Sequence, residues 1–123
     1  MIAADTSSLV AYFGGETGGD VERLHAAMSA GDLVLPPPVV TEIVSDPAAR
    51  QVDAQIRSLE LLEITEGYWE RAGLARQILR RHGFKAKVAD ALIAQSCIDH
   101  GIALITRDRD FRQFAKHCGL KLA

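Results

Sequence analysis

This sequence is short of the features that would build anything other than an ordinary buried core. Cysteine occurs only as Cys97 and Cys118, without paired metal-ligand spacing, which excludes a cysteine-based zinc module and a disulfide-stapled scaffold. Both fall on apolar helical stripes and read as reduced core thiols. No apolar run approaches the length of a membrane span, so no membrane association is expected. The first residues lack the positively charged start of a signal peptide and read instead as a first strand, giving the expectation of a soluble cytoplasmic protein. There is no internal repeat, no low-complexity tract and no linker, so a single domain over residues 1–123 is expected. The glycine-rich stretch Gly14–Gly19 is not followed by Gly-Lys-Ser/Thr, which argues against a nucleotide-binding P-loop. His25, His82, His100 and His117 share no spacing that suggests a metal site or a general base, and are read as structural or exposed.

What the chain does have is 48% hydrophobic residues, enough for a core, and an uneven distribution of charge. Residues 1–70 carry 12 acidic and 3 basic side chains, whereas residues 71–123 carry 4 acidic and 11 basic ones. The net charge of −2 therefore hides a C-terminal half able to present a basic surface to a polyanion.

Short apolar runs alternate with helical periods. Ile2–Ala4, Leu33–Leu35, Leu61–Ile64 and Ala103–Ile105 read as strands buried on both faces, with Leu120–Leu122 a weaker fifth. Between them, Val21, Leu24 and Met28 mark one helix, and Val52, Ile56 and Leu59 another. Tyr68, Ala72, Ala75, Leu79 and His82 step along a third stripe, and Phe111, Phe114, Ala115 and Cys118 along a fourth. Pro36-Pro37-Pro38 opens a helix that Asp46-Pro47 ends, while Gly83 and Gly101 stand where left-handed caps belong. Strands alternating with helices predict an α/β fold with a four- to five-stranded parallel sheet covered on both faces.

Four carboxylates sit at the ends of apolar runs. Asp5 closes the first strand, Asp108 follows the fourth, Glu42 lies in the helix leaving the second, and Asp90 lies early in the helix before the fourth. Ligands in parallel α/β sheets gather beyond the carboxyl ends, where strand order reverses. If the first and fourth strands are neighbours there, all four acids face one crevice. Crowded carboxylates take up protons or bind a cation, since two of them about 4 Å apart repel by roughly 4 kcal/mol at an effective dielectric of 20. An all-oxygen ligand set suits Mg²⁺ or Mn²⁺. Such an ion orients and activates water and neutralises charge developing on a phosphate, which is the chemistry of phosphodiester hydrolysis. Singly, Asp5 and Asp108 also fit helix caps, for the helices beginning near Thr6 and Phe111.

Other chemistries fit less well. An aspartyl-phosphate phosphatase needs a second Asp two residues after Asp5, where this chain has Ser7. A phosphoacceptor signalling domain needs an Asp after the third strand, where Thr65-Glu66 follows Ile64.

Asp5-Thr6-Ser7, Val40-Thr41-Glu42, Asp90-Ala91-Leu92-Ile93-Ala94 and Thr106-Arg107-Asp108-Arg109-Asp110-Phe111, in that order across almost the whole chain, resemble the motifs of PIN-domain ribonucleases. The resemblance is closest to the VapC-type toxins of toxin–antitoxin pairs. It implies a PIN-like three-layer α/β/α fold and a Mg²⁺- or Mn²⁺-dependent endoribonuclease toxin of a type II system. It also implies a homodimer inhibited by a small VapB-type antitoxin that inserts a segment, often with an arginine, into the acidic pocket. In the resemblance, Asp5, Glu42, Asp90 and Asp108 form the acidic, metal-holding centre, with Asp5 and Asp90 the usual direct ligands. Asp110 joins them in some members, and Thr106 and Thr6 support the site. A catalytically inactive PIN-like module that binds RNA or protein is the alternative.

Arg80, Arg81, Lys85 and Lys87 lie just before Asp90, and Arg107, Arg109 and Arg112 flank Asp108; contacts from some of these to an RNA backbone are expected. Tyr68 fits a buried stripe, Trp69 is open to base stacking or an interface, and Tyr12 and Phe13 close the first helix against a neighbour.

Overall fold

Ile2–Ala4 forms strand β1, and in the computed structural model, which describes all 123 residues, this strand is central. The elements follow as α1 (Thr6–Phe13), α2 (Gly19–Ala30), β2 (Leu33–Leu35), α3 (Pro37–Ser45), a 3₁₀ turn (Pro47–Ala49) and α4 (Arg50–Ile56). Next come β3 (Glu60–Leu61), α5 (Tyr68–Arg81), α6 (Val88–His100), β4 (Leu104–Ile105) and α7 (Phe111–Cys118). The four strands make one parallel sheet in the order β3-β2-β1-β4. Chain order therefore reverses between β1 and β4, the place where a parallel α/β sheet opens a crevice.

Leu33, Val34 and Leu35 are all buried although successive strand side chains point to opposite faces, so helices cover both sides of the sheet. This is the three-layer arrangement expected from the sequence. Leu9, Leu24, Leu35, Ile43, Leu79, Ile93, Leu104, Ile105, Phe111 and Phe114 are almost completely enclosed, and each such side chain stabilises the fold by about 1.5–3 kcal/mol through burial. Tyr68 belongs to this core, its hydroxyl donating to the Leu92 carbonyl at 2.6 Å. Tyr12 meets His25 Nδ1 at 3.0 Å, joining α1 to α2. Cys97 is buried and Cys118 half-buried, and both are free thiols. No helix is long and apolar enough to cross a membrane.

Two expectations about the sheet need correction. The third strand is Glu60–Leu61 rather than Leu61–Ile64, and it is an exposed edge, because nothing pairs beyond it and only Leu62 turns inward. Leu120–Leu122 is no fifth strand: it contributes a single bridge from Leu122 to Leu104, while Leu120 packs into the core. The helix ends match their signals more closely. Gly101 caps α6 and Gly83 follows the α5 cap His82, both in the left-handed region as expected; Gly31 and Gly119 do the same for α2 and α7, and α3 starts with proline and stops at Asp46.

Candidate active site

β1 and β4 are paired, Ala3 with Leu104 and Ala4 with Ile105, so both strands finish side by side. Beyond those ends the chain places Asp5 and Thr106, tied by the Asp5 amide donating to the Ile105 carbonyl at 3.1 Å. Asp5 is only 3% exposed, yet its carboxylate is well supplied with donors. Thr106 Oγ1 donates to Oδ2 at 2.6 Å, Ser8 N to Oδ1 at 3.1 Å, and Ser7 Oγ reaches both oxygens at 2.9 Å. Asp5 therefore caps α1 and faces the crevice at once, so its two sequence readings are compatible. Burial pushes its carboxyl above the ordinary range, opposed by these hydrogen bonds.

The remaining acids arrive from three helices or their approaches. Glu42 is the sixth residue of α3, and Thr6 Oγ1 holds its Oε1 at 2.7 Å. Asp90 is the third residue of α6 and is 8% exposed. Asp108 lies in the turn before α7, where its Oδ1 accepts the Asp110 amide at 2.9 Å. It caps that turn, not the helix itself.

Carboxylate oxygens of Asp90, Asp108 and Asp110 come within 4.8 Å of one another. At that spacing each ionised pair repels by roughly 3 kcal/mol at an effective dielectric of 20. The consequence is visible at Asp90, whose carboxyl is pushed up to about 6, first by burial and then by the charges of Asp108, Glu42 and Asp110, against the pull of Lys87. Asp5 also feels the Asp108 charge. Every sequence-selected acid therefore lies around one crevice. The tightest triad includes Asp110, which the motifs alone leave at the margin. The donor set, entirely carboxylate oxygen with net repulsion to relieve, fits a hard divalent cation such as Mg²⁺ or Mn²⁺.

The basic residues divide into three groups. Arg80 and Arg81 line a groove of about 860 Å³ between α5 and α6, together with Trp69, Arg76, Val88 and Leu92. Lys85 and Lys87 edge an adjoining hollow, and Arg109 and Arg112 line a smaller cavity with Asp108. Trp69 is 59% exposed and also borders a depression that includes Glu42, so the groove runs on to the acidic crevice.

Arg107 corrects its expectation as a free phosphate contact. Its guanidinium is committed internally, to Asp20, Glu16 and the Thr17 carbonyl, because the glycine-rich loop folds back over it. In return Arg107 holds the Asp20 carboxyl down to about 2. Sequence reasoning missed Asp20 and Ser8. An acid in the first turn of a helix reads as a dipole partner, and nothing local points to a residue 87 positions away.

Known proteins are similar to this chain in sequence and fold. A profile of the PIN domain matches residues 2–117. The VapC ribonuclease Mb1587 of Mycobacterium bovis and the ribonuclease VapC11 of Mycobacterium tuberculosis are each 29% identical over 132 residues, covering 100% of this chain and 98% of their own. The fold is similar to VapBC2 from Rickettsia felis, crystallised bound to a DNA fragment from their promoter, with a TM-score of 0.76 at 19% identity over 100% of this chain and 98% of that one. It is also similar to FitAcB from Neisseria gonorrhoeae, with a TM-score of 0.69 at 17% identity over 99% and 96%. With acids at the β1–β4 switch point and a profile match spanning nearly its whole length, the chain belongs to the PIN domain family.

Proposed function

We propose that this protein is a divalent-metal-dependent endoribonuclease, the toxin of a type II toxin–antitoxin pair, acting as one PIN domain over residues 1–123. The observation that carries the reading is the convergence of Asp90, Asp108 and Asp110 within 4.8 Å beside Asp5 and Glu42. Full-length similarity to VapC ribonucleases supports the substrate class.

Asp5, Asp90, Asp108 and Asp110 are the residues that would hold Mg²⁺ or Mn²⁺, with Glu42 alongside. The bound ion supplies charge neutralisation at the scissile phosphate and lowers the pKa of water. Thr106 and Thr6 each hold one carboxylate in a fixed rotamer, through Asp5 and Glu42 respectively. Pre-set carboxylates avoid reorganisation when the substrate arrives. Arg109 and Arg112, next to Asp108, and Arg80, Arg81, Lys85 and Lys87, along the adjoining surface, would contact the backbone of the RNA on either side of the cut.

A small VapB-type antitoxin is part of the same proposal, supported by the likeness to a VapBC assembly, and a homodimer is proposed with it. An acidic pocket of this kind is complementary to a cationic side chain, so an inhibitory segment carrying arginine satisfies it without metal.

The test is purified protein incubated with RNA, with and without Mn²⁺, beside Asp5→Asn. In cells, induction of wild type and Asp5→Asn followed by mapping of RNA ends gives the substrate. Mn²⁺-dependent cuts present only with wild type are expected. Equal cutting by Asp5→Asn removes the assignment.

A further inference from the structure

Arg107 and Asp20 form a fork-to-fork ion pair on the flank of the acidic crevice. Arg107 Nε donates to Asp20 Oδ2 at 2.8 Å and Nη2 to Oδ1 at 3.1 Å. The same guanidinium reaches Glu16 Oε1 at 3.2 Å and the Thr17 carbonyl at 3.1 Å. Asp20 Oδ2 also accepts from Ser8 Oγ at 2.8 Å, and Ser8 is fully buried. The Ser8 amide donates to Asp5 Oδ1. On the other side, Arg107 is covalently placed between Thr106, which grips Asp5 Oδ2, and Asp108. The contacts close a ring: Asp5 to Ser8, Ser8 to Asp20, Asp20 to Arg107, and through Thr106 back to Asp5.

We propose that the Arg107–Asp20 pair is a positioning clamp that fixes the Asp108 turn relative to Asp5 and thereby sets the divalent-cation affinity of the acidic centre. The inference rests on the metal-dependent nuclease reading. It also accounts for the glycine-rich loop. Gly18 has φ +147°, and a Cβ there would stand 2.7 Å from Asp20 Oδ1 and 3.1 Å from Arg107 Nη2. Only glycine lets the loop close over the guanidinium.

A clamp of this kind is distinguishable from a merely structural salt bridge. Side-chain exposures of 31% for Arg107 and 12% for Asp20 leave the pair partly open to solvent, so its loss, like that of the Arg71–Asp99 pair, should cost the metal-free fold only a modest share of its stability. Groups that orient metal ligands, by contrast, typically change metal affinity by about 10- to 100-fold. Loss of the clamp should leave the metal-free fold nearly intact and weaken the ion's hold.

The experiment compares wild type, Arg107→Gln, Arg107→Lys, Asp20→Asn and Gly18→Ala as purified full-length chains. Mn²⁺ binding is measured by calorimetry, metal-free melting by circular dichroism, and RNA cleavage across a Mn²⁺ titration. Arg107→Gln and Asp20→Asn are expected to weaken Mn²⁺ binding about tenfold. Their metal-free melting should fall by no more than a few degrees, and saturating Mn²⁺ should recover most of the cleavage rate. Arg107→Lys should fall between, since lysine keeps the charge but loses the planar fork. Wild-type Mn²⁺ affinity in Arg107→Gln overturns the clamp, as does a loss of affinity matched by an equal loss of metal-free stability. Should Arg107→Gln fail to fold, Asp20→Asn and Gly18→Ala decide by the same criteria. A wild-type chain that neither binds Mn²⁺ nor cleaves RNA overturns the nuclease reading and the clamp together. An active wild type with unaltered variants overturns the clamp alone.

Discussion

Thr106 donates its hydroxyl to Asp5 Oδ2 at 2.6 Å across 101 residues of sequence, and the same oxygen accepts the Asp108 amide at 3.0 Å. One hydroxyl thereby fixes both strand-end acids, using its donor on one and a lone pair on the other. Thr106→Val keeps the shape and removes both bonds. It is expected to cost about 1–3 kcal/mol of stability, because a buried carboxylate loses a short donor, and to reduce Mn²⁺-dependent cleavage at least about tenfold. Thr106→Ser should retain most of both. Chemical denaturation and initial cleavage rates check this; a Val variant equal to wild type in both rejects the bridging role.

Asp90 gives the metal-free protein a distinctive pH dependence. Its carboxyl is raised to about 6, so the folded state holds a proton that the unfolded state releases near pH 4. The corresponding stability is complete below pH 4 and is lost as pH rises to about 6. At pH 7 the ionised Asp90 therefore destabilises the metal-free fold by about 3 kcal/mol, and Asp90→Asn should raise its melting temperature by several degrees. Divalent cation should raise the melting temperature of wild type at pH 7, by about 2.7 kcal/mol of stability at one hundred times the dissociation constant, and should do much less for Asp90→Asn. Chelator should reverse the gain. Thermal melts over pH 4–8 with and without Mn²⁺ test both halves, and a pH-independent difference between wild type and Asp90→Asn contradicts the shift.

The sheet order and the acidic site are largely legible in the sequence because each depends on local patterns. Asp5 and Asp108 stand immediately after apolar strands, and a parallel sheet leaves few places for those ends to go. Asp90 is readable as an acid on an otherwise apolar helix, where ionised side chains are rare. Residues held by distant partners are not legible. Arg107 sits in a basic run and looks solvent-facing, yet its position is decided by Asp20 on a helix whose packing no local signal reports. The start of Glu60–Leu61 differs by one residue from its expectation for a related reason. An exposed two-residue edge strand carries almost no periodicity, and its register comes from pairing with Val34 and Leu35.

The basic surface yields a prediction by position. Arg80, Arg81, Lys85 and Lys87 lie along the groove and hollow beside Trp69, whereas Arg109 and Arg112 adjoin Asp108. Neutralising the first four to Gln should weaken RNA binding and flatten its dependence on salt. The log–log slope should fall by about 0.7 for each phosphate of a single-stranded RNA that is no longer neutralised. Arg109→Gln and Arg112→Gln should act more on the cleavage rate, being next to Asp108. Filter binding over a range of salt concentrations, with single-turnover cleavage, separates the two. Equal slopes for wild type and the fourfold variant reject the groove as an RNA track.

Asp99 supplies an acid-side prediction of opposite sign to Asp90. Arg71 grips it with Nε on Oδ1 at 2.9 Å and Nη2 on Oδ2 at 2.7 Å, while Gln95 donates to Oδ1 at 2.7 Å and Thr65 to Oδ2 at 3.2 Å. Arg71 also donates to the Glu66 carbonyl, so the cluster pins the loop before α5 onto α6. The guanidinium and these hydrogen bonds hold the Asp99 carboxyl below its ordinary value. Stability from this group is therefore present above about pH 4, the unfolded value, and is lost as pH falls through the lower folded value. Because the Arg71 side chain is 39% exposed, solvent screens the pair, and Asp99→Asn is expected to cost about 1–2 kcal/mol at pH 7. That cost should shrink as pH falls below about 4, where the unfolded Asp99 takes up its proton, and disappear below the lower folded value, while the penalty from Asp90 has already vanished. RNA cleavage and Mn²⁺ affinity should be unaffected, since Asp99 lies about two and a half turns of α6 beyond Asp90 by the helix repeat of about 3.6 residues. Denaturation of Asp99→Asn at pH 7 and well below the ordinary carboxylate value of about 4 settles the matter. A cost that is the same at both places its origin in lost packing rather than in the charge.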